Sequence, residues 1–162
     1  MPKPGFITAS VFNSCMTKSF GKTVQKVCCR VACERLGVTG LEEQFDISGL
    51  RMIEWGSEME GLAVAAYEAE TFTEIHAKQI FHRVPGLMVG GTPDGLVGTS
   101  GVVEIKCPNS DNHLLNMTQD AQVSDYIHQV QAYLWITERE WCDFVSFDPR
   151  FPEDLQLHIK RL

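Results

Sequence analysis

Asp94, in Thr92-Pro93-Asp94-Gly95-Leu96, lies ten residues before Glu104 in Val102-Val103-Glu104-Ile105-Lys106-Cys107-Pro108. Side chains along a strand alternate between its two faces. Val103 and Ile105 are therefore expected to enter a core, while Glu104 and Lys106 share the opposite face. The turn Gly98-Thr99-Ser100-Gly101 makes a hairpin that returns Asp94 to their side. Two carboxylates and a lysine on one face can hold a divalent cation and activate water, the chemistry of metal-dependent phosphodiester hydrolysis. The same spacing also fits a plain hairpin with a solvated charged face.

These residues need a scaffold, and the hydrophobic periodicity outlines one. A short helix is expected over Val11 to Met16, capped by Thr8 or Ser10. A second begins at Thr23, carries Val24, Val27, Cys28, Val31 and Leu36, and stops at Gly37. Gly40 to Asp46 reads as loop. A long helix from about Ser48 to Glu70 bears an apolar stripe of Met52, Trp55, Met59, Leu62, Ala63 and Ala66, with Glu58, Glu68 and Glu70 in solvent. From Thr73 the period becomes two, and strands are expected near Glu74–His82, Leu87–Gly90, Leu96–Val97 and Val102–Lys106. Asp111 starts a short helix, Ser124 to Glu138 forms another, and strands Trp141–Asp148 and Leu155–Lys160 follow. Helices before and after a strand cluster predict an α/β chain, a central mixed sheet flanked by helices.

With 162 residues, 44% of them hydrophobic, the chain is expected to form one domain over 1–162 with a proper core. No apolar run approaches the roughly 18 residues of a membrane span, and Met1-Pro2-Lys3-Pro4-Gly5 lacks the layout of a signal peptide. No membrane association and a cytoplasmic location are the expectations. The net charge of −7, fourteen basic against twenty-one acidic residues, opposes indiscriminate coating of nucleic acid. It does not oppose a nuclease, whose acidic residues hold cations that invert the local field. The six cysteines include no C-x-x-C pair, so a zinc knuckle is not indicated and buried free thiols are expected. The five histidines show no metal-ligand spacing. Trp55, Trp135 and Trp141 read as core.

Five blocks occur in order: Ile7-Thr8-Ala9-Ser10, Trp55-Gly56-x-x-x-Glu60, Pro93-Asp94-Gly95-Leu96, Glu104-Ile105-Lys106-Cys107-Pro108 and Tyr126-x-x-Gln129-Val130-Gln131. Pro93-Asp94 with Glu104-Ile105-Lys106 resembles the PD-(D/E)XK signature, and Gln129 to Tyr133 resembles the Q-x-x-x-Y element of its exonuclease branch. Together the blocks resemble the lambda-exonuclease or YqaJ-like viral recombinase family, from about residue 5 to the end. The resemblance implies a restriction-endonuclease-like core. It also implies a Mg²⁺-dependent deoxyribonuclease, with Mn²⁺ able to substitute, that resects double-stranded DNA 5′-to-3′ in recombination. The implied partners are double-stranded DNA ends, a single-strand annealing protein and a trimeric homo-oligomer, in a host-cell cytoplasm if the source is viral. Two alternatives stay open. One is a structure-specific or CRISPR-adaptation-like nuclease; the other is a catalytically weak DNA-end-binding module on the same fold. Compared with family members, the chain reads as a minimal or truncated version.

The resemblance also assigns roles. Asp94, Glu104 and the Ile105 backbone carbonyl would hold the metal, and Glu60 would complete the site; an exposed helix carboxylate is the competing reading of Glu60. Lys106 would orient or deprotonate the attacking water, since a desolvated lysine near a metal can have its pKa lowered; otherwise it is a charge partner for Glu104. Gln129 would hydrogen-bond near the scissile phosphate or orient the site, whereas Gln131 lies roughly opposite on the helix. Ser10 and Thr92 would form a pocket for the DNA 5′-phosphate, with Lys3 where the family carries arginine. The family's other aspartate has no clear match around Arg83-Val84-Pro85. Cluster-binding relatives use several cysteines after the nuclease motif; here only Cys142 follows, which argues against an iron–sulfur centre.

Overall fold

The computed structural model describes residues 5–16, 20–38, 47–119 and 123–162, with the side chains of 47–50 and 53 excepted. Strand β1 (Ile7–Thr8) runs into a 3-10 turn (Ala9–Val11) continuous with helix α1 (Phe12–Cys15), followed by α2 (Lys22–Arg35) and α3 (Ile47–Thr71). Short strands β2 (Ile75–His76), β3 (His82–Arg83), β4 (Val89–Gly91) and β5 (Gly95–Val97) precede the longer β6 (Gly101–Lys106). Helices α4 (Ser110–Gln119) and α5 (Val123–Thr137) lead to β7 (Trp141–Phe147), a 3-10 turn (Glu153–Leu155) and β8 (Leu157–Arg161).

Among the described residues the strands form a five-stranded sheet ordered β2-β5-β6-β7-β8 and a three-stranded sheet ordered β1-β4-β3. In the larger sheet β6 and β7 are parallel and the other pairings antiparallel. A parallel pair needs a crossover, and α4 and α5 supply it. Val103 and Ile105 pack with Ala63 and Tyr67 of α3 on one face of the sheet. Val102 packs with Val130 and Tyr133 of α5 on the other. Each of these fully buried aliphatic side chains contributes roughly 1.5–3 kcal/mol. This is the α/β, mixed-sheet architecture expected. The alternation along β6 also holds, but the Glu104 face is covered by α5 rather than open, and Glu104 is only 2% exposed.

Several local expectations are revised. The run Glu74–His82 is not one strand, because Ala77 and Gln79 have φ of 50° and 56° and such left-handed residues break an extended chain. Its two ends pair in different sheets, Ile75–His76 with β5 and His82–Arg83 with β4. No side chain caps α1 or α2; the residue before α2 is Gly21, not Thr23. Thr8 is held instead in β1 opposite Gly90. On α3 the buried positions are Ala63 and Tyr67, whereas Met52 and Leu62 are exposed. Glu68, expected in solvent, accepts the Ile75 backbone N–H at 2.8 Å and Lys78 Nζ at 3.1 Å. Cys28 and Cys29 are exposed, because α2 buries no residue. Trp135 is half-exposed, with its ring against Phe12. The expected loop Gly40 to Asp46 lies outside the described residues. No helix among the described residues is long and apolar enough to cross a membrane.

Candidate active site

Asp94 sits at the entry to β5, and Glu104 and Lys106 near the end of β6, so the β5–β6 hairpin brings them together. Its turn is fixed from outside: Arg139 Nη1 donates to the carbonyls of Val97, Gly98 and Gly101 at 3.2, 3.1 and 2.7 Å. Asp94 Oδ2 accepts the Ile105 backbone N–H at 2.6 Å. Glu104 Oε1 accepts Lys106 Nζ and Gln129 Nε2, each at 2.6 Å. Lys106 Nζ also lies 4.6 Å from the Tyr126 ring centroid, a cation–π contact. From the same helix, Gln129 Nε2 donates to the Tyr133 hydroxyl at 3.0 Å, and that hydroxyl donates to the Thr92 carbonyl at 3.1 Å. Residues 126, 129 and 133 recur at spacings of three and four, which put them on one face of α5. Gln131 is exposed, as its position on the helix implied.

The electrostatics are those of charges taken out of water. Burial, with the neighbouring Glu104 adding, pushes the Asp94 carboxyl up to about 8 even though the Ile105 N–H opposes it. Burial likewise raises Glu104, against Lys106. Burial works against the Lys106 ammonium, but Glu104, by charge and hydrogen bond, and then Asp94 outweigh it, so its pKa goes up. The rise is the effect of the two carboxylates on a half-buried ammonium.

Glu104 Oε2 is buried and has no hydrogen-bond partner among the described residues. An orphaned carboxylate oxygen beside a second, half-buried carboxylate is costly unless a cation neutralises both. The donor set Asp94, Glu104 and the Ile105 carbonyl, all oxygens, suits a hard divalent ion. Asp94 and Ile105 border a cleft of about 450 Å³ that is also lined by Gly56, Glu60, Lys106 and Tyr126, and Glu104 lies buried behind it. Gly56 occupies a mid-helix position, where glycine costs roughly 1 kcal/mol relative to alanine, and a Cβ there would meet no described atom within 4 Å. The opening serves the cleft rather than helix packing.

The remaining expected residues divide. Glu60 lines the cleft and its charge reaches Asp94 and Glu104. Its Oε1, however, accepts Gln79 Nε2 at 2.8 Å. Among the described residues no three His, Cys, Asp or Glu side chains converge on one ion. Ser10 follows β1 and Thr92 follows β4, and the parallel register Thr8 to Gly90 brings both to the same end of the small sheet. Ser10 is exposed and its hydroxyl lies 3.1 Å from that of Thr8. Gly91 lets this end close up, since a Cβ there would lie 2.8 Å from Tyr133 Cε1. Lys3 lies outside the described residues. Tyr126 and Tyr133 belong to the motif blocks without a role expected of either, although both stand one helical turn from Gln129. Asp148 and Arg150 carry no expected role either, and their only sequence signal is the Asp-Pro-Arg at the end of β7.

A hairpin bearing Asp94, Glu104 and Lys106 inside a mixed sheet, roofed by a glutamine helix, defines a nuclease fold of the restriction-endonuclease-like class. A family model described as the YqaJ-like viral recombinase domain matches residues 3–140. The structure is similar to the crystal structure of an alkaline exonuclease from Laribacter hongkongensis. The TM-score is 0.84 at 34% identity, covering 98% of this chain and 77% of that one. Its complex with dAMP gives 0.83 and 35% over the same shares. A phage-related exonuclease from Haemophilus somnus 129PT, 15% identical with a TM-score of 0.73 over 97% of this chain and 83% of that one, shares the fold. No curated protein sequence matches the chain. The chain belongs to the YqaJ-like viral recombinase domain family.

Proposed function

We propose that this chain is a divalent-cation-dependent exodeoxyribonuclease that resects double-stranded DNA 5′-to-3′ during recombination, working as a single domain over residues 1–162. The observation that carries the reading is the close pair of carboxylates, Asp94 on the cleft and the buried Glu104, whose Oε2 has no hydrogen-bond partner among the described residues. The 34% identity to an alkaline exonuclease supports it. Asp94, Glu104 and the Ile105 carbonyl would hold Mg²⁺ or Mn²⁺, with Glu60 acting from further out. When bound, such an ion neutralises charge developing on the phosphate and on the leaving oxygen.

The chain's own groups do the rest. Lys106, hydrogen-bonded to Glu104, presents its amine to the cleft, where it would orient or deprotonate the attacking water. Gln129 fixes the Glu104 carboxylate and is itself fixed by Tyr133. The hydroxyls of Ser10 and Thr92, with Lys3, would receive the terminal 5′-phosphate. Double-stranded DNA ends are the substrate in this reading. A single-strand annealing protein and a trimeric homo-oligomer are the proposed partners, and the host-cell cytoplasm the proposed location.

The test is digestion of linear duplex labelled at either end, by wild type and Lys106→Ala, with Mg²⁺ and with EDTA. Metal-dependent loss from the 5′ end that Lys106→Ala abolishes is expected. No cleavage by pure wild type in Mg²⁺ or Mn²⁺ would leave a DNA-end-binding module.

A further inference from the structure

Arg150 follows the end of β7, and its guanidinium is immobilised by three contacts. Nε and Nη2 donate to the two oxygens of Asp148 at 2.7 Å each, a bidentate pair. The guanidinium carbon stands 4.5 Å from the Trp55 ring centroid. Asp148 is fully buried and ionised: against its burial, the bonds from Arg150 and Ser110 hold its carboxyl at about 2. Yet the Arg150 side chain remains 49% exposed. Carboxylate and ring use one edge and one face of the guanidinium, and the Nη1 edge has no bond to either.

The place of this arginine is set by the sheet. β6 and β7 are parallel with Lys106 opposite Ser146, so Asp148 leaves the sheet at the same edge as Cys107 and Pro108, which line the cleft. Charge on Asp148 is felt by the Cys107 thiol. Trp55 adjoins Gly56, and Ser110, bonded to Asp148 at 2.8 Å, lies two residues before Asn112; Gly56 and Asn112 are also cleft residues. In sheets of this kind ligands bind beyond the carboxyl ends of parallel strands.

We propose that Arg150, clamped by Asp148 and stacked on Trp55, binds a backbone phosphate of the DNA strand flanking the scissile one. This rests on the nuclease reading. Guanidinium matches phosphate with two parallel N–H donors, and a fork already held in place loses little freedom on binding. A cation beside the cleft also suits a chain of net charge −7 that must take up a polyanion.

An Arg150→Gln change alone leaves Asp148 buried without its partner, so the decisive protein is the double variant Asp148→Asn with Arg150→Gln, which removes both charges. DNA affinity is measured with a fluorescent duplex in EDTA across a salt series, and KM and kcat in Mg²⁺. The double variant is expected to melt as a folded protein and to bind DNA about 10-fold more weakly. The slope of log K against log salt should fall by about 0.7–0.9, and the loss should fall on KM more than on kcat. A folded double variant with wild-type Kd and salt slope overturns the proposal and leaves Arg150 as a clamp for Asp148 alone. If the double variant does not fold, Arg150→Lys in the same assays decides, with wild-type Kd and KM again overturning the proposal. Wild type that neither binds nor cleaves DNA overturns the nuclease reading with it.

Discussion

Gln129 donates a 2.6 Å hydrogen bond to Oε1 of Glu104 across the interface between α5 and β6, and so holds the carboxylate with its other oxygen free for an ion. Partners that orient a ligating group typically carry about 10–100-fold of affinity or activity. Gln129→Leu is therefore expected to lower duplex digestion by about that factor with the fold retained. Tyr133→Phe, which cuts the link from Gln129 to the Thr92 carbonyl, should have the smaller effect and cost about 1 kcal/mol of stability. Rates and melting curves on the two variants check this, and a Gln129→Leu protein with wild-type rate would refute it.

Glu104, buried beside Asp94, stores an instability that an ion relieves. In EDTA, Glu104→Gln is expected to melt above wild type, because it removes a charge that burial disfavours. Added Mg²⁺ should stabilise wild type by about 2.7 kcal/mol at 100 times its Kd, and leave Glu104→Gln unmoved. Calorimetry with and without Mg²⁺ decides the matter; equal shifts in both proteins would place the ion elsewhere.

Gly56 sets stability against activity. Alanine at this mid-helix position should add roughly 0.5–1 kcal/mol, since nothing described obstructs the new methyl group. The methyl would enter the cleft, so KM for duplex should rise as the melting temperature rises. Improvement in both would show that the cleft does not receive substrate on that side.

Asp148 governs part of the acid limb. Its folded pKa of about 2 lies below the ordinary 3.8, so the stability it contributes is present above about pH 4. That stability is lost as pH falls toward 2. Asp148→Asn should flatten unfolding across that window and cost about 1–2 kcal/mol at neutral pH. Denaturant melts at several pH values report it directly, and an unchanged acid limb would assign the role to other carboxylates.

Much of this was legible because strand periodicity and helical spacing are local. Val102 to Lys106 announces its alternation, and Tyr126, Gln129 and Tyr133 share a helical face. What sequence could not show is what covers each face. Glu104 reads as the exposed side of a hairpin, and only the crossover through α5 buries it. The same packing sets Lys106 against Glu104, and a lysine's pKa depends on which charges surround it. Met52 and Leu62 fit the apolar stripe of α3 by spacing but stand outside its packed arc. Arg150 acquires its place only from the parallel register of β6 and β7.

That register also dictates an order of events during folding. The hairpin from Gly95 to Lys106 is a local structure that closes early, whereas β7 reaches β6 only after more than thirty intervening residues have formed their helices, and such non-local pairing is slow. Asp94 and Glu104 come together in the first step, but Gln129, Tyr133, Asp148 and Arg150 join them only in the second. A nascent or partly unfolded chain therefore carries the two acids without the groups that aim them, and its cutting power is withheld until the domain is whole.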